Sequence, residues 1–117
     1  MIRRVLVVLL LIAVALPLKA ASMVSTSLSG VKAYPNPWRS DKHSSMSVTF
    51  DGMPSGSVIK IFTVSAREVK QLSADGSGQA QWDRTNDSGD QVASGVYIYL
   101  VIDPQGNQAS GKLAIIK

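Results

Sequence analysis

A chain of 117 residues with 12 basic and 8 acidic side chains, a formal charge of +4 and no cysteine has room for one domain and no disulfide to staple it. Three of the basic residues, Arg3, Arg4 and Lys19, lie near the N-terminus, so the remainder carries nine basic against eight acidic groups. That near balance removes the case for a nucleic-acid-binding face, which needs clustered Lys and Arg, and leaves about 95 residues to be held by burial alone, enough for one sandwich-sized core.

Arg3 and Arg4 precede an unbroken apolar run at 5–16, followed by Pro17 and the small residues Ala20, Ala21 and Ser22. A basic end, a short apolar core and small residues are the layout of a secretory signal peptide. An uncleaved anchor is the alternative, but a bilayer-spanning helix needs ~20 apolar residues and Lys19 interrupts this one. A signal peptide over 1–22 is therefore expected, cut after Ala20 or after Ser22, touching the membrane only before cleavage. A lipoprotein signal is excluded because no cysteine can carry the lipid. Residues 23–30 are small and polar, a flexible lead-in, and the domain is expected over 31–117.

Seven strands are predicted in that domain. Residues 31–34 form a first short strand, stopped at Pro35-Asn36-Pro37, where neither proline can donate to a ladder. Residues 39–45 read as a polar loop. Met46, Val48 and Phe50 alternate with Ser47 and Thr49, the two-residue period of a half-buried strand. Residues 57–64 put Ile59 and Ile61 on the core side, and Phe62 opposite suggests cover on the second face too. In the strand at 67–73, Val69 and Leu72 have opposite parity, which a bulge would reconcile, as edge strands often do. Ala80 and Trp82 share a face of a short strand. After the polar turn around Asp83, Asn86 and Gly89, the apolar run at 96–102 marks a central strand, with Val96, Ile98, Leu100 and Ile102 assigned to the core and Tyr97, Tyr99 and Val101 partly covered. If exposed, Tyr97 and Tyr99 would be the first partner surface to test. The last strand, 109–116, turns Leu113 and Ile115 to one side. Seven short strands with no helix between them argue for an antiparallel two-sheet sandwich of the immunoglobulin or fibronectin kind; a small closed barrel is the competitor.

Candidate chemistry is sparse. His43 stands alone in a polar loop, with no second His or Cys to complete a metal or nucleophile set. Asp83, Asn86, Asp87 and Asp90 resemble a calcium loop, but the pattern D-x-[DN]-x-[DN]-G followed by a distant Glu is not met, since Thr85 and Ser88 fall at the wrong places in it, and Asx and Gly are what a tight turn uses for its own backbone. No serine lies in G-x-S-x-G. No catalytic residue, cofactor or metal is expected, and the aromatics are read as packing rather than a sugar platform.

From residue 34 to the end the chain resembles the immunoglobulin-like domain of the bacterial flagellar hook-capping protein and the C-terminal sorting domains of type IX secretion cargo. The residues that carry the resemblance are Tyr34-Pro35-Asn36-Pro37, Ile61-Phe62 followed by a turn and Val69, Trp82-Asp83 with Asn86 and Gly89, the segment Val92-Ala93-Ser94-Gly95-Val96-Tyr97, and a tail beginning Lys112-Leu113. Relatives usually carry Gly where Ala66 and Arg84 stand here. The resemblance implies an exported, non-catalytic sandwich working by contact with envelope or secretion-machinery proteins in the periplasm, at the cell surface or outside the cell. The alternatives are a sorting domain separated from its cargo, since the domain follows the signal almost at once, and a small carbohydrate-binding or adhesive module using an exposed aromatic such as Trp38.

Overall fold

Two sheets packed face to face account for the apolar alternation along the chain. The computed structural model describes residues 28–117; the predicted signal peptide and its cut lie outside the described residues. The strands are β1 (Lys32–Tyr34), β2 (Trp38–Arg39), β3 (Val48–Asp51), β4 (Val58–Thr63), β5 (Glu68–Ser73), β6 (Ala80–Trp82), β7 (Gly95–Ile102) and β8 (Gln108–Ile116). A single helical turn, α1 (Ser40–His43), follows β2. One sheet runs β1-β3-β6 and the other β2-β8-β7-β4-β5, so the fold is an all-β sandwich. The closed-barrel alternative falls, because two separate sheets each keep their own edges.

The core lies where the two inner faces meet. Val48, Phe50, Trp82, Ile59, Ile61 and Val101 are fully shielded from solvent, and Leu113 and Ile115 almost so. Phe50 meets Tyr99 edge to face at 5.1 Å between ring centroids, and Trp82 meets Tyr97 the same way at 5.9 Å. Such pairs place the positive ring edge on the negative ring face. Leu28, assigned to the lead-in, is also buried, so the core reaches back beyond residue 31.

Three expectations need correction. The first is the parity of β7: Tyr97, Tyr99 and Val101 face the core, while Val96 is exposed and Ile98, Leu100 and Ile102 are only half-buried on the outer side. Every position of the strand is apolar, so alternation could not decide, and a one-residue choice turns every side chain to the other face. The aromatic pairs and a close approach decide it instead, since Tyr99 covers Gly111 on β8, its direct partner, and a Cβ at Gly111 would collide with the Tyr99 ring and hydroxyl. Second, the sheet is not wholly antiparallel. Arg39, read as the start of a polar loop, and Trp38 before it form β2 and pair parallel to β8, Trp38 with Ile115 and Arg39 with Ile116. Third, Met46 is exposed and outside its strand.

The irregularity expected in β5 is present. The pairing passes from Ile61 with Lys70 to Phe62 with Glu68, which leaves Val69 as the extra residue and turns it into the core. β5 is the edge of its sheet, and the Val69 carbonyl accepts from the Asp87 amide at 3.0 Å. The turn after β6 thus covers part of that edge.

Candidate functional site

The residues that carry the family resemblance fall into a framework that fixes the two ends of the sandwich. Tyr34-Pro35 and Asn36-Pro37 are both cis peptide bonds. Between them Asn36 turns its amide to the last strand: Nδ2 donates to the Lys112 carbonyl at 2.9 Å and Oδ1 accepts from the Ala114 amide at 3.2 Å. One side chain thereby reproduces the paired bonds of a neighbouring strand at a point where the prolines supply no N–H. Tyr34 is exposed and donates to Asp51 at 3.1 Å, and Lys112 is exposed on the outer face.

Trp38 is 3% exposed. Its indole Nε1 donates to the Met46 carbonyl at 2.8 Å, which removes it as a sugar platform. Over its ring lies the Arg84 guanidinium, which donates to the same carbonyl at 2.6 Å. Arg84 has φ 65 and Ala66 φ 71, so both positions where relatives carry Gly are left-handed, the conformation that Gly adopts without a Cβ penalty. The stacking of Arg84 on Trp38 joins residues 46 positions apart and comes only from the tertiary fold.

The acidic turn is built for its own backbone. Asp83 Oδ1 accepts from the Thr85 hydroxyl at 2.5 Å and from its amide at 3.3 Å; the Thr85 hydroxyl, foremost, holds the Asp83 carboxyl below the usual carboxylate range. Asn86 Oδ1 accepts from the Ser88 and Asp90 amides, Gly89 supplies φ 90, and Thr85 bridges to Gln91. Trp82 Nε1 donates to the Thr85 carbonyl at 2.8 Å, locking the turn to the core. Asp75 and Asp103 make comparable turns, each accepting from amides two and four residues on. His43 Nδ1 accepts from the Arg39 amide at 2.9 Å, closing the helical turn on itself as a capping side chain does.

Tyr97 and Tyr99 are 6% and 9% exposed, which corrects their assignment as a partner surface. The Tyr97 hydroxyl donates to the Ala93 carbonyl at 2.6 Å, and burial pushes both phenols above their ordinary pKa. The surface that β7 does present is of the other parity. Across the outer face Phe62 pairs with Ile98, Ile98 with Lys112 and Val96 with Ala114, and Gly95 opens the strand opposite Ile115. Two shallow apolar depressions are formed here, one of about 230 Å³ by Phe62, Val64, Ala66 and Ile98 and the other of about 510 Å³ by Val96, Ala114, Ile116 and their neighbours. The signal for this face was already in the sequence, because a strand apolar at every position seeks cover on both sides.

No family model matches the chain, and no curated protein matches it. Among solved structures it is similar to part of PorZ, an essential bacterial surface component of the type IX secretion system of the human oral-microbiomic Porphyromonas gingivalis, with 30% identity, a TM-score of 0.68, and 80% of this chain and 12% of PorZ covered. It is also similar to part of dimeric latent PorU from the same organism, with 26% identity, a TM-score of 0.52, and 74% of this chain and 9% of PorU covered. The chain thus spans about an eighth or less of either protein's length.

Proposed function

We propose that this domain is an exported, non-catalytic immunoglobulin-like sandwich that works by protein–protein contact at the cell envelope or surface, in association with type IX secretion. The observation that carries this reading is the likeness to PorZ, which extends over 80% of the chain at 30% identity. The sheet order supports the immunoglobulin assignment: β1-β3-β6 opposite β8-β7-β4-β5 corresponds to strands A-B-E opposite G-F-C-C′, and the hydroxyl of Tyr97, near the start of the F-like strand, reaches back to a carbonyl four residues upstream in the manner of a tyrosine corner. Commitment of Asp75, Asp83 and Asp103 to turn backbone supports a non-catalytic role. The signal-like N-terminus supports export, and the kinship with hook-capping and sorting domains belongs to the same reading.

Fractionating native cells and weighing the intact protein with whatever co-purifies tests it. The expected result is a chain beginning after residue 20 or 22, in the envelope or outside the cell, bound to a secretion-system protein. A full-length chain in the cytoplasm overturns the reading.

A further inference from the structure

The water-facing side of an antiparallel sheet is ordinarily polar where the inner side is apolar, and one end of the five-stranded sheet departs from that rule. Five large hydrophobic residues are exposed among the described residues, and three of them, Val64 (70%), Val96 (46%) and Ile116 (47%), gather there. Half-buried Phe62, Ile98 and Ala114 fill the space between them in successive cross-strand pairs. Cations border the patch. Lys112 stands opposite Ile98, Lys60 stands beside Leu100 one pair further along, and Lys117 follows Ile116. The one ion pair among the described residues joins Arg39 to Asp41, so none of these three ammonium groups has an Asp or Glu side chain in salt-bridge reach there; Glu68, paired with Phe62 at the sheet edge, is the acidic side chain nearest the patch in register.

We infer that this end of the outer face is a docking surface for an apolar segment of another protein whose flanks carry carboxylates. The inference rests on the protein-contact reading given above and names its surface and partner chemistry. Charge selects the occupant. A second copy packed face to face would set Lys60, Lys112 and Lys117 against the same groups, whereas a segment alternating apolar and acidic residues places its apolar side chains in the two depressions and its carboxylates at the lysines. The recessed positions of Phe62, Ile98 and Ala114 suit interdigitating side chains rather than a flat lipid surface.

Titration of the isotope-labelled full chain with two synthetic peptides of about ten residues, one alternating Leu with Glu and one alternating Leu with Lys, tests the inference by amide shifts. The Glu peptide is expected to move the amides of Phe62, Val64, Val96, Ala114 and Ile116, and to bind roughly tenfold more tightly than the Lys peptide, by a margin that shrinks with added salt. Val96→Asp is expected to weaken the Glu peptide roughly tenfold; Val64→Asp, on an exposed turn, gives the same reading without touching a strand. Equal binding of the two peptides, shifts confined to another face, self-association abolished by Val96→Asp, or binding to anionic phospholipid vesicles alone each overturns it. A cytoplasmic location for the native protein would remove the envelope reading and leave the peptide result standing.

Discussion

The guanidinium carbon of Arg84 lies 3.9 Å from the centre of the Trp38 ring, and both side chains donate to the carbonyl of Met46. Arg84 follows β6 of the three-stranded sheet and Trp38 begins the edge strand of the other, so this contact ties the two layers together. Arg84→Ala removes the stack and the hydrogen bond and keeps the left-handed backbone, and is expected to cost about 1–2 kcal/mol. Arg84→Gly loses the same contacts and sheds the Cβ penalty, so it is expected to be about 1 kcal/mol less destabilising than Ala. Urea unfolding of the two variants measures the difference; a Gly variant no more stable than Ala refutes a strained φ at this position.

Ala66 sits at the tip of the β4–β5 hairpin with φ 71, its amide donating to the Thr63 carbonyl at 2.9 Å, a bond that Gly would keep. Ala66→Gly is expected to stabilise the domain by on the order of 1 kcal/mol, which raises the thermal midpoint by about 4–8 °C in a domain of this size. An unchanged or lower midpoint contradicts the account of this turn.

Asn36 holds β8 through a donor and an acceptor at once. Asn36→Ala is expected to cost about 1–2 kcal/mol and to speed hydrogen exchange at the Ala114 amide. Asn36→Asp keeps the acceptor but sets a carboxylate against the Lys112 carbonyl, so it is expected to protect Ala114 while still lowering stability.

Tyr99 lies over Gly111 across the β7–β8 pair. Gly111→Ala forces that ring to move against Phe50 and is expected to cost about 1–3 kcal/mol. Because the clash is with one named ring, a Tyr99→Ala background is expected to absorb most of it. The coupling in a double-mutant cycle measures this, and additive effects would show that Gly111 is needed for another reason.

Acid is expected to loosen the turns together. The Ser77 hydroxyl, foremost, holds the Asp75 carboxyl below its ordinary 3.8, helped by the Gln79 and Ser77 amides; Asp51, through the Gly52 amide foremost, and Asp83 shift the same way. A carboxyl whose folded pKa is depressed stabilises the fold fully above its unfolded value and loses that contribution as pH falls through the folded one. The unfolding midpoint is therefore expected to stay level down to about pH 5 and to fall below about pH 4, with a shallower fall in Asp75→Asn.

Most of the fold was legible where a strand keeps one polar side. Ile59 and Ile61, Ala80 and Trp82, and Leu113 and Ile115 all face the core as their alternation requires, and the parity conflict between Val69 and Leu72 announced the bulge. Legibility ended where both sides are apolar. In β7 the choice between Val96 and Tyr97 is made by ring packing against Trp82, information held by residues far away in sequence. That one-residue choice also decided the site, since it moved the accessible surface from the tyrosines to Val96 and Ile98. The parallel pairing of β2 left no periodic trace because two residues are too few to show one.

Pairing of Trp38 and Arg39 with Ile115 and Ile116 makes the last strand the neighbour of nearly the first. A chain emerging N-terminus first, from a ribosome or through a membrane pore, exposes Trp38 long before its strand partner exists. The larger sheet lacks its β8 member, and Asn36 its bonding partners, until the final residues are free. Pairing over so long a loop is also slow to close. The topology therefore leaves the larger sheet open at β2 and β7 until β8 is free to pair with both, so the sandwich closes late and in one step.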